Sequence, residues 1–292
     1  MILVVGATGL LGSEICRLLR ARGLAVRGLV RSGSPKESAL RAIGVNIGTG
    51  DLRDRASVEA ACQGVDAVIT TATAMGSKDK SLTLRAIDRD AQLQLVDVAK
   101  ASGVQQFVYT SVSPNLGLSA PLVRYKREVE RAVRASGMRW TILQPPCFME
   151  IWLSSQLGWD HAAGRAMMFG AGDGLLSWIS VADVAEHAVR SVEDQRLKNQ
   201  DLPLGGPEAL SPNQVLKIFE KASGRRYTVK HVPRVMLTLL SPAIGLFNEQ
   251  IASGMSMGAQ TTLGDVIESP LQRELALPLT SVSQYAARVV GR

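Results

Sequence analysis

The sequence predicts an α/β protein: a doubly wound parallel sheet with a smaller C-terminal α+β lobe. Three observations carry the prediction. Up to Pro146, short apolar runs rich in β-branched residues alternate with stretches whose apolar residues recur at helical spacing. Glycines at 6, 9 and 12 punctuate the first strand-to-helix turn. Beyond Pro146 the alternation breaks into an irregular segment before a strand and helix return. Strict alternation means parallel strands joined by right-handed crossovers, with ligands at the carboxyl ends of the strands.

The first strand is ILVVGA, residues 2–7, as apolar as a strand buried on both faces must be. The helix after it puts Leu11, Ile15, Leu18 and Leu19 on one stripe and stops at Gly23. Residues 25–31 read as a strand, and 35–44 as a helix opened by Pro35 and closed by Gly44. A weaker strand at 45–51 and a helix at 55–64 follow, then a fourth strand at 65–72. A long helix over 82–102 carries Ile87, Ala91, Leu95 and Val98 on one face. Strand 106–112, helix 121–137 and strand 139–145 complete the pattern. Residues 147–175 show no clean period. Residues 178–194 resume a strand-to-helix unit, with Asp183 near the helix start, and 201–206 is short and strand-like. Ser211 and Pro212 open a helix that Gly224 ends, and 226–232 alternates as a strand. A Met-, Leu- and Gly-rich stretch to residue 263 precedes a last helix.

The chain has 292 residues, 46% hydrophobic and 20% charged, which excludes a disordered protein. Aromatics are only 4% and no run of five basic residues occurs, which argues against a nucleic-acid partner. The net charge of +7 and pI of 9.6 describe either a solvated basic surface or attraction to an anionic ligand such as a phosphorylated cofactor. Cys16, Cys62 and Cys147 lie far apart, as expected of reduced thiols in the cytoplasm. His161, His187 and His231 lack metal-ligand spacing, so no structural metal is expected. The chain enters a strand at once and shows no signal-peptide pattern. The longest apolar stretch, 235–247, is interrupted by Ser241 and Pro242 and falls short of the roughly 20 residues of a membrane span.

In VVGATGLLG, Gly6 permits a tight turn, Gly9 lets backbone approach a pyrophosphate, and Gly12 lets helix and strand pack closely. The helix N-terminus adds free N–H groups and a positive dipole end. The triad sits in the context this motif requires, so dinucleotide binding is expected. At the end of the second strand stand Arg31, Ser32, Ser34 and Lys36, with no acid. An arginine clamps a 2′-phosphate where a carboxylate would take a ribose hydroxyl, so NADP(H) is favoured over NAD(H). The alternative is a solvated Arg31. Asp51, followed by Leu52, ends the third strand where it would meet an adenine, or else caps the next helix.

GATGLLG, AIDRDAQLQLVDVAKASGVQQFVYTSV, YKREVERAVRASGMRWTILQPPCFME and WISVADVAEHAV together resemble the NmrA-like, isoflavone-reductase-like group of atypical short-chain dehydrogenases/reductases. The resemblance spans most of 1–195. It implies a Rossmann domain carrying NADP(H) and a small C-terminal substrate lobe. The domains expected are a core over 1–146, a lobe from 147–175 and 203–280, a strand and helix returning to the core over 176–202, and a terminal helix over 281–292. Residue by residue, it assigns Gly6, Gly9 and Gly12, with Thr8, Leu10 and Leu11 between them, to the phosphate loop, and Arg31 to the NADP contact. Thr71, Ala72 and Thr73 match the turn along the cofactor, and Thr110, Ser111 and Ser113 the strand-five hydroxyl region. Lys126 matches the active-site lysine. Pro145 and Pro146 match the segment beside the nicotinamide, next to Cys147. The family often has an arginine before that proline; here it is Gln144.

A tyrosine acid normally stands four residues before such a lysine, and this chain has Leu122 there. Tyr125 adjoins Lys126, and neighbours on a helix point about 100° apart, so Tyr125 reads better as a packing residue. Lys126 and Ser111 are then the candidate catalytic residues, against an ordinary solvated lysine. Phe148, Met149, Trp152 and Trp178, with Ser113, would line an apolar substrate pocket or else form lobe core. Cys147 reads more readily as a small buried hydrophobe, and His161 as a structural histidine. The stretch 235–257 is lobe core, a lid or a protein-partner surface. Two functional readings stand. One is an NADP(H)-dependent reductase of a small or medium apolar carbonyl, enone or quinone. The other is a catalytically silent NADP(H)-binding redox sensor or assembly scaffold.

Overall fold

A computed structural model describes residues 1–291, which divide into two compact units. The first contains Met1–Ser111, Arg124–Leu143 and Val184–Leu202. Its strands are β1 Ile2–Val5, β2 Val26–Val30, β3 Asn46–Thr49, β4 Ala67–Thr70, β5 Gln106–Thr110 and β6 Arg139–Gln144. All five pairings among them are parallel, in the order β3-β2-β1-β4-β5-β6, and Gln200–Pro203 adds a seventh strand beside β6. The α/β doubly wound sheet read from the sequence is thus the observed fold. Strands β1 and β4 are buried along their whole length because crossover helices cover both faces. The chain leaves β1 toward β2 and later returns to β4, so the order reverses between them. That reversal opens the crevice where such sheets take their ligands.

The crossovers are α1 Leu10–Ala21, α2 Glu37–Ala42, α3 Arg55–Cys62, α4 Ala91–Ala101 and α5 Pro121–Ala135. The long helix expected over 82–102 is not uniform: Arg85–Asp90 is a π-helical turn that runs into α4. Leu3, Val5, Val68, Leu95, Phe107 and Ile142 are part of one core beneath these helices.

The second unit begins with α6 Met149–Trp152, β7 Arg165–Phe169 and β8 Leu176–Ser177. After α7 Val181–Glu193 and the seventh strand of the large sheet (β9, Gln200–Pro203), it continues with β10 Ala209–Leu210, α8 Pro212–Ser223 and β11 Thr228–Val232. Helices α9 Arg234–Gly245, α10 Glu249–Thr261, α11 Pro270–Leu275 and α12 Val282–Val290 follow. Strand β7 pairs in parallel with β11, and β8 antiparallel with β10. Ser211 and Ser281 each close a reciprocal capping box, fixing where α8 and α12 start. Trp159, Phe219, Tyr227 and Tyr285 lie in the core of this unit.

Three local expectations are corrected. Residues 147–175 hold a strand, β7, whose Met-rich sequence shows no alternation. The strand expected from 178 forms instead at Leu176–Ser177 and pairs outside the large sheet. The stretch 235–257 splits. Helix α10 buries small residues such as Ala252, Ser253, Ser256 and Ala259, whereas α9 exposes Val235, Met236, Leu239 and Leu240. At the end of α9, Leu246 and Phe247 are 81% and 91% exposed. No helix among the described residues is long and apolar enough to cross a membrane.

Candidate functional site

Both the switch-point loop and the lysine of α5 belong to the first unit. Gly6 follows β1 with φ +84, a left-handed conformation that only glycine adopts freely. A Cβ at Gly6 would also stand 2.8 Å from Thr71 Oγ1, and one at Gly12 would stand 2.2 Å from the Gly6 carbonyl oxygen. The loop closes through the Gly9 N–H, which donates to that same oxygen at 2.9 Å. Gly9 caps α1 with no side-chain hydrogen bond, so no side chain competes for the first N–H groups of the helix. Such a loop, with free N–H groups at a helix start, could hold a phosphate. Thr8 and Leu10 line its rim, whereas Leu11 is buried under it.

Around the loop, the Lys36 ammonium donates to the Thr8 carbonyl at 3.0 Å. Arg31 follows β2, with its side chain 56% exposed and in a 3.4 Å contact with Asp79. Ser32 is exposed beside it. Asp51 does not cap the helix after it: Asp54 does, accepting from Ala56 and Ser57. Asp51 instead takes the Arg53 guanidinium, whose hydrogen bond holds its carboxyl below the usual range. Leu52 is turned into the core.

The turn after β4 is pinned from two sides. The Thr71 N–H donates to the Val5 carbonyl, tying it to β1. From the helix behind, Gln92 accepts from Thr70 and donates to the Ala72 carbonyl, while Asp88 accepts from the Ala74 N–H at 2.9 Å. Thr73 lies between and folds its hydroxyl back toward the Met75 N–H. Asp88 and Gln92 are fully buried. Sequence reading passed over both, since it followed the apolar stripe of that helix; a charged residue one place after Ile87 was the available signal.

Lys126 is only 6% exposed, which corrects the reading of a solvated lysine. Its ammonium donates to the Thr110 carbonyl at 3.0 Å, lies 3.8 Å from Asp88 Oδ1, and sits 5.1 Å above the centre of the Tyr109 ring. Burial pushes its pKa down while the Asp88 charge opposes that fall. Asp88 is pushed up by the same burial and held back chiefly by Lys126. Asp88 Oδ1 and Thr110 Oγ1 are buried with no hydrogen-bond partner. A buried ammonium with an uncommitted carboxylate oxygen nearby can take a further hydrogen-bonding group. Ser111 is engaged elsewhere: its hydroxyl donates to Glu130 Oε1 at 2.6 Å, in a cluster with Arg127 and Arg134. Tyr125 is partly exposed on another side of α5, as its one-residue offset from Lys126 requires. Leu122 is buried, with its N–H donating to Ser253.

The remaining candidates belong to the second unit. Pro145 is buried and Pro146 partly so, and burial pushes the Cys147 thiol well up, leaving an inert packing group. Ser113 is fully buried and donates to Asp265 Oδ1 at 2.6 Å, which Asn115 also reaches at 2.9 Å. Asp265, missed in the sequence, is pushed up by burial, and its Oδ2 lacks a hydrogen-bond partner. Of the expected pocket residues, Trp152 and Trp178 line a cavity of about 30 Å³ with Trp159 and Phe169. That volume holds little more than a water. Met149 is fully buried core, and Phe148 is partly exposed. His161 is structural: it stacks on Phe219 and bonds Tyr227 and the Leu153 carbonyl.

Sheet order, glycine cradle and buried lysine together define a Rossmann-type protein of the short-chain dehydrogenase/reductase kind. Within that class, the chain belongs to the NmrA-like family, which residues 1–285 match. It is 34% identical to the NAD(P)H azoreductase of Xenophilus azovorans, over 100% of this chain and 93% of that one. It is 28% identical to the photosystem II assembly factor Ycf39 of Synechocystis sp., over 100% of this chain and 91% of that one. Its fold is that of the NADPH-dependent quinone oxidoreductase QOR2 of Escherichia coli complexed with NADPH, with a TM-score of 0.77, 22% identity and 99% of both chains covered.

Proposed function

We propose that this protein is an NADP(H)-dependent oxidoreductase acting on a small or medium apolar acceptor of carbonyl, enone or quinone type. The observation that carries the reading is the buried Lys126, held on a strand-five carbonyl beside an uncommitted carboxylate oxygen. The azoreductase and quinone oxidoreductase relatives support it. When bound, NADPH supplies the hydride; the protein orients it and excludes water. The Gly6–Gly12 cradle takes the pyrophosphate. Arg31 and Lys36 take the 2′-phosphate through charge-assisted bonds, which selects NADP(H) over NAD(H). The Thr71–Thr73 turn lies along the cofactor, and Lys126 bonds the nicotinamide ribose. With Leu122 unable to donate a proton, the Lys126 ammonium, directly or through water, protonates the reduced acceptor. Ser111 has no direct part, because its hydroxyl is committed to Glu130. The three free, buried cysteines support a cytoplasmic setting.

One observation favours the second reading, a cofactor-binding assembly scaffold. The exposed apolar face of α9, within 235–257, suits a protein partner, and Ycf39 relatives are assembly factors. Calorimetric titration with NADPH and NADH, followed by NADPH oxidation against quinones, enones, aldehydes and azo compounds, separates the readings. The reductase binds NADPH at least about tenfold more tightly than NADH, a difference of about 1.4 kcal/mol, and oxidises it with one acceptor class. Tight NADPH binding without oxidation by any acceptor supports the scaffold instead.

A further inference from the structure

We propose that Asp88 is a positioning residue whose carboxylate is the counter-charge that holds the Lys126 ammonium at the end of β5. The inference deepens the reductase reading and rests on it for its meaning in catalysis. Asp88 divides its two oxygens between two tasks. Oδ2 accepts the Ala74 N–H at 2.9 Å and pins the turn after β4. Oδ1 has Lys126 Nζ at 3.8 Å, and the Thr73 hydroxyl also supports the carboxylate. Pinning the turn needs only an acceptor, which an asparagine would supply without a buried charge. The charge itself therefore has another use, and the lysine is the cation it faces.

Among the other groups around Lys126, the Glu130 charge also supports the ammonium, but less than that of Asp88. Glu130, one turn along α5, already takes the Arg127 guanidinium, the Ser111 hydroxyl and Arg134. Arg127 repels the ammonium, and Tyr109 offers only its ring face. The π-helical turn Arg85–Asp90 carries the carboxylate to this position, and such turns recur where a helix must present a functional side chain. A buried ammonium without a counter-charge would give up its proton near neutral pH. Asp88 thus keeps a proton on Lys126.

The test is the titration of Lys126, followed by NMR of the cofactor-free, ¹³Cε-lysine-labelled full-length chain, in the wild type and in Asp88→Asn. Asparagine keeps the bond to Ala74, so the turn stays in place. Loss of the charge moves the Lys126 titration at least about one unit toward acid, a tenfold change in its protonated-to-neutral ratio. The alkaline limb of the kcat profile moves with it. A folded Asp88→Asn protein whose lysine titrates as in the wild type overturns the proposal, even if turnover persists. If Asp88→Asn does not fold, Lys126→Met decides. With its counter-charge lost, Asp88 binds a proton more readily in the folded state. The variant's Tm then falls more steeply than the wild type's from pH 5 to pH 8; parallel curves overturn the proposal. Because the NMR readout uses no cofactor, absence of reductase activity is distinguishable from failure of the ion pair.

Discussion

In the first unit the buried polar side chains converge. Asp88, Lys126 and Thr110 meet at the end of β5, and Gln92 and Asp88 together brace the turn that Gly6 packs against. In the second unit the buried polar groups are spread out. Asp265 ties down Ser113 and Asn115, His161 is locked in an aromatic stack, and the lined cavity holds only about 30 Å³. The two also differ at their surfaces, since the second exposes the apolar row of α9. The difference teaches where each kind of specificity resides. In the proposed function, the cofactor is served by a few groups fixed at strand ends. Acceptor or partner choice falls to segments whose buried polar groups hold the fold instead.

The sharpest way to break this contrast is Gly12→Val. Its Cβ would meet the Gly6 carbonyl oxygen at 2.2 Å and the Gly6 carbonyl carbon at 2.8 Å, both backbone atoms that a side-chain shift cannot relieve. We expect NADPH affinity to fall by about 100-fold, or 2.7 kcal/mol, and stability by about 1–3 kcal/mol. Calorimetry and thermal melting check both; unchanged binding would mean that the cradle is not the phosphate site. Arg31→Glu is the next largest. It should weaken NADPH about tenfold or more while leaving NADH within about twofold, because only the 2′-phosphate feels the reversed charge. Equal losses for both cofactors would remove Arg31 from cofactor choice.

These positions were legible because spacing writes them. The Gly6–Gly9–Gly12 triad and the basic end of β2 each lie within a few residues, and the turn after β4 follows from alternation. Lys126 was found by resemblance, but its burial was invisible in a helix so rich in charge. Asp88 left only a faint signal, a charge directly after the apolar Ile87, and Asp265 left none. Each meets its partners across long sequence separations, and a buried carboxylate looks in one sequence like any surface acid. Strand β7 escaped because the residue types of Arg165–Phe169 show no period of two, although its burial alternates. The small size of the cavity likewise could not be read from Trp152 and Trp178, since the same residues serve core and pocket.

Asp265 sharpens the second side of the comparison. Burial raises its pKa, so its contribution to stability is complete below the unfolded carboxyl value and is lost as pH rises through the folded one. Asp265→Asn keeps an acceptor for Ser113 and Asn115 and removes that loss. Relative to the wild type, its Tm should rise by a few degrees, roughly 1 kcal/mol, between pH 4.5 and pH 8. A constant difference across that range would show Asp265 to be ionised without cost. The smallest effect is expected on α9. Leu239→Ser with Phe247→Ser should change stability by no more than about 0.5 kcal/mol each, since both side chains are already exposed. A large loss would show that this face is covered in the folded protein.

The proposed function turns on a hydride from NADPH and a proton from Lys126. It is tested most directly with NADPH deuterated at nicotinamide C4, incubated with the protein and each acceptor, the product being read by mass spectrometry. The account predicts deuterium in one acceptor's product, with the rate reduced about 100-fold or more in Lys126→Ala. NADPH bound tightly with no deuterium transferred to any acceptor, or transfer undiminished in Lys126→Ala, would contradict it.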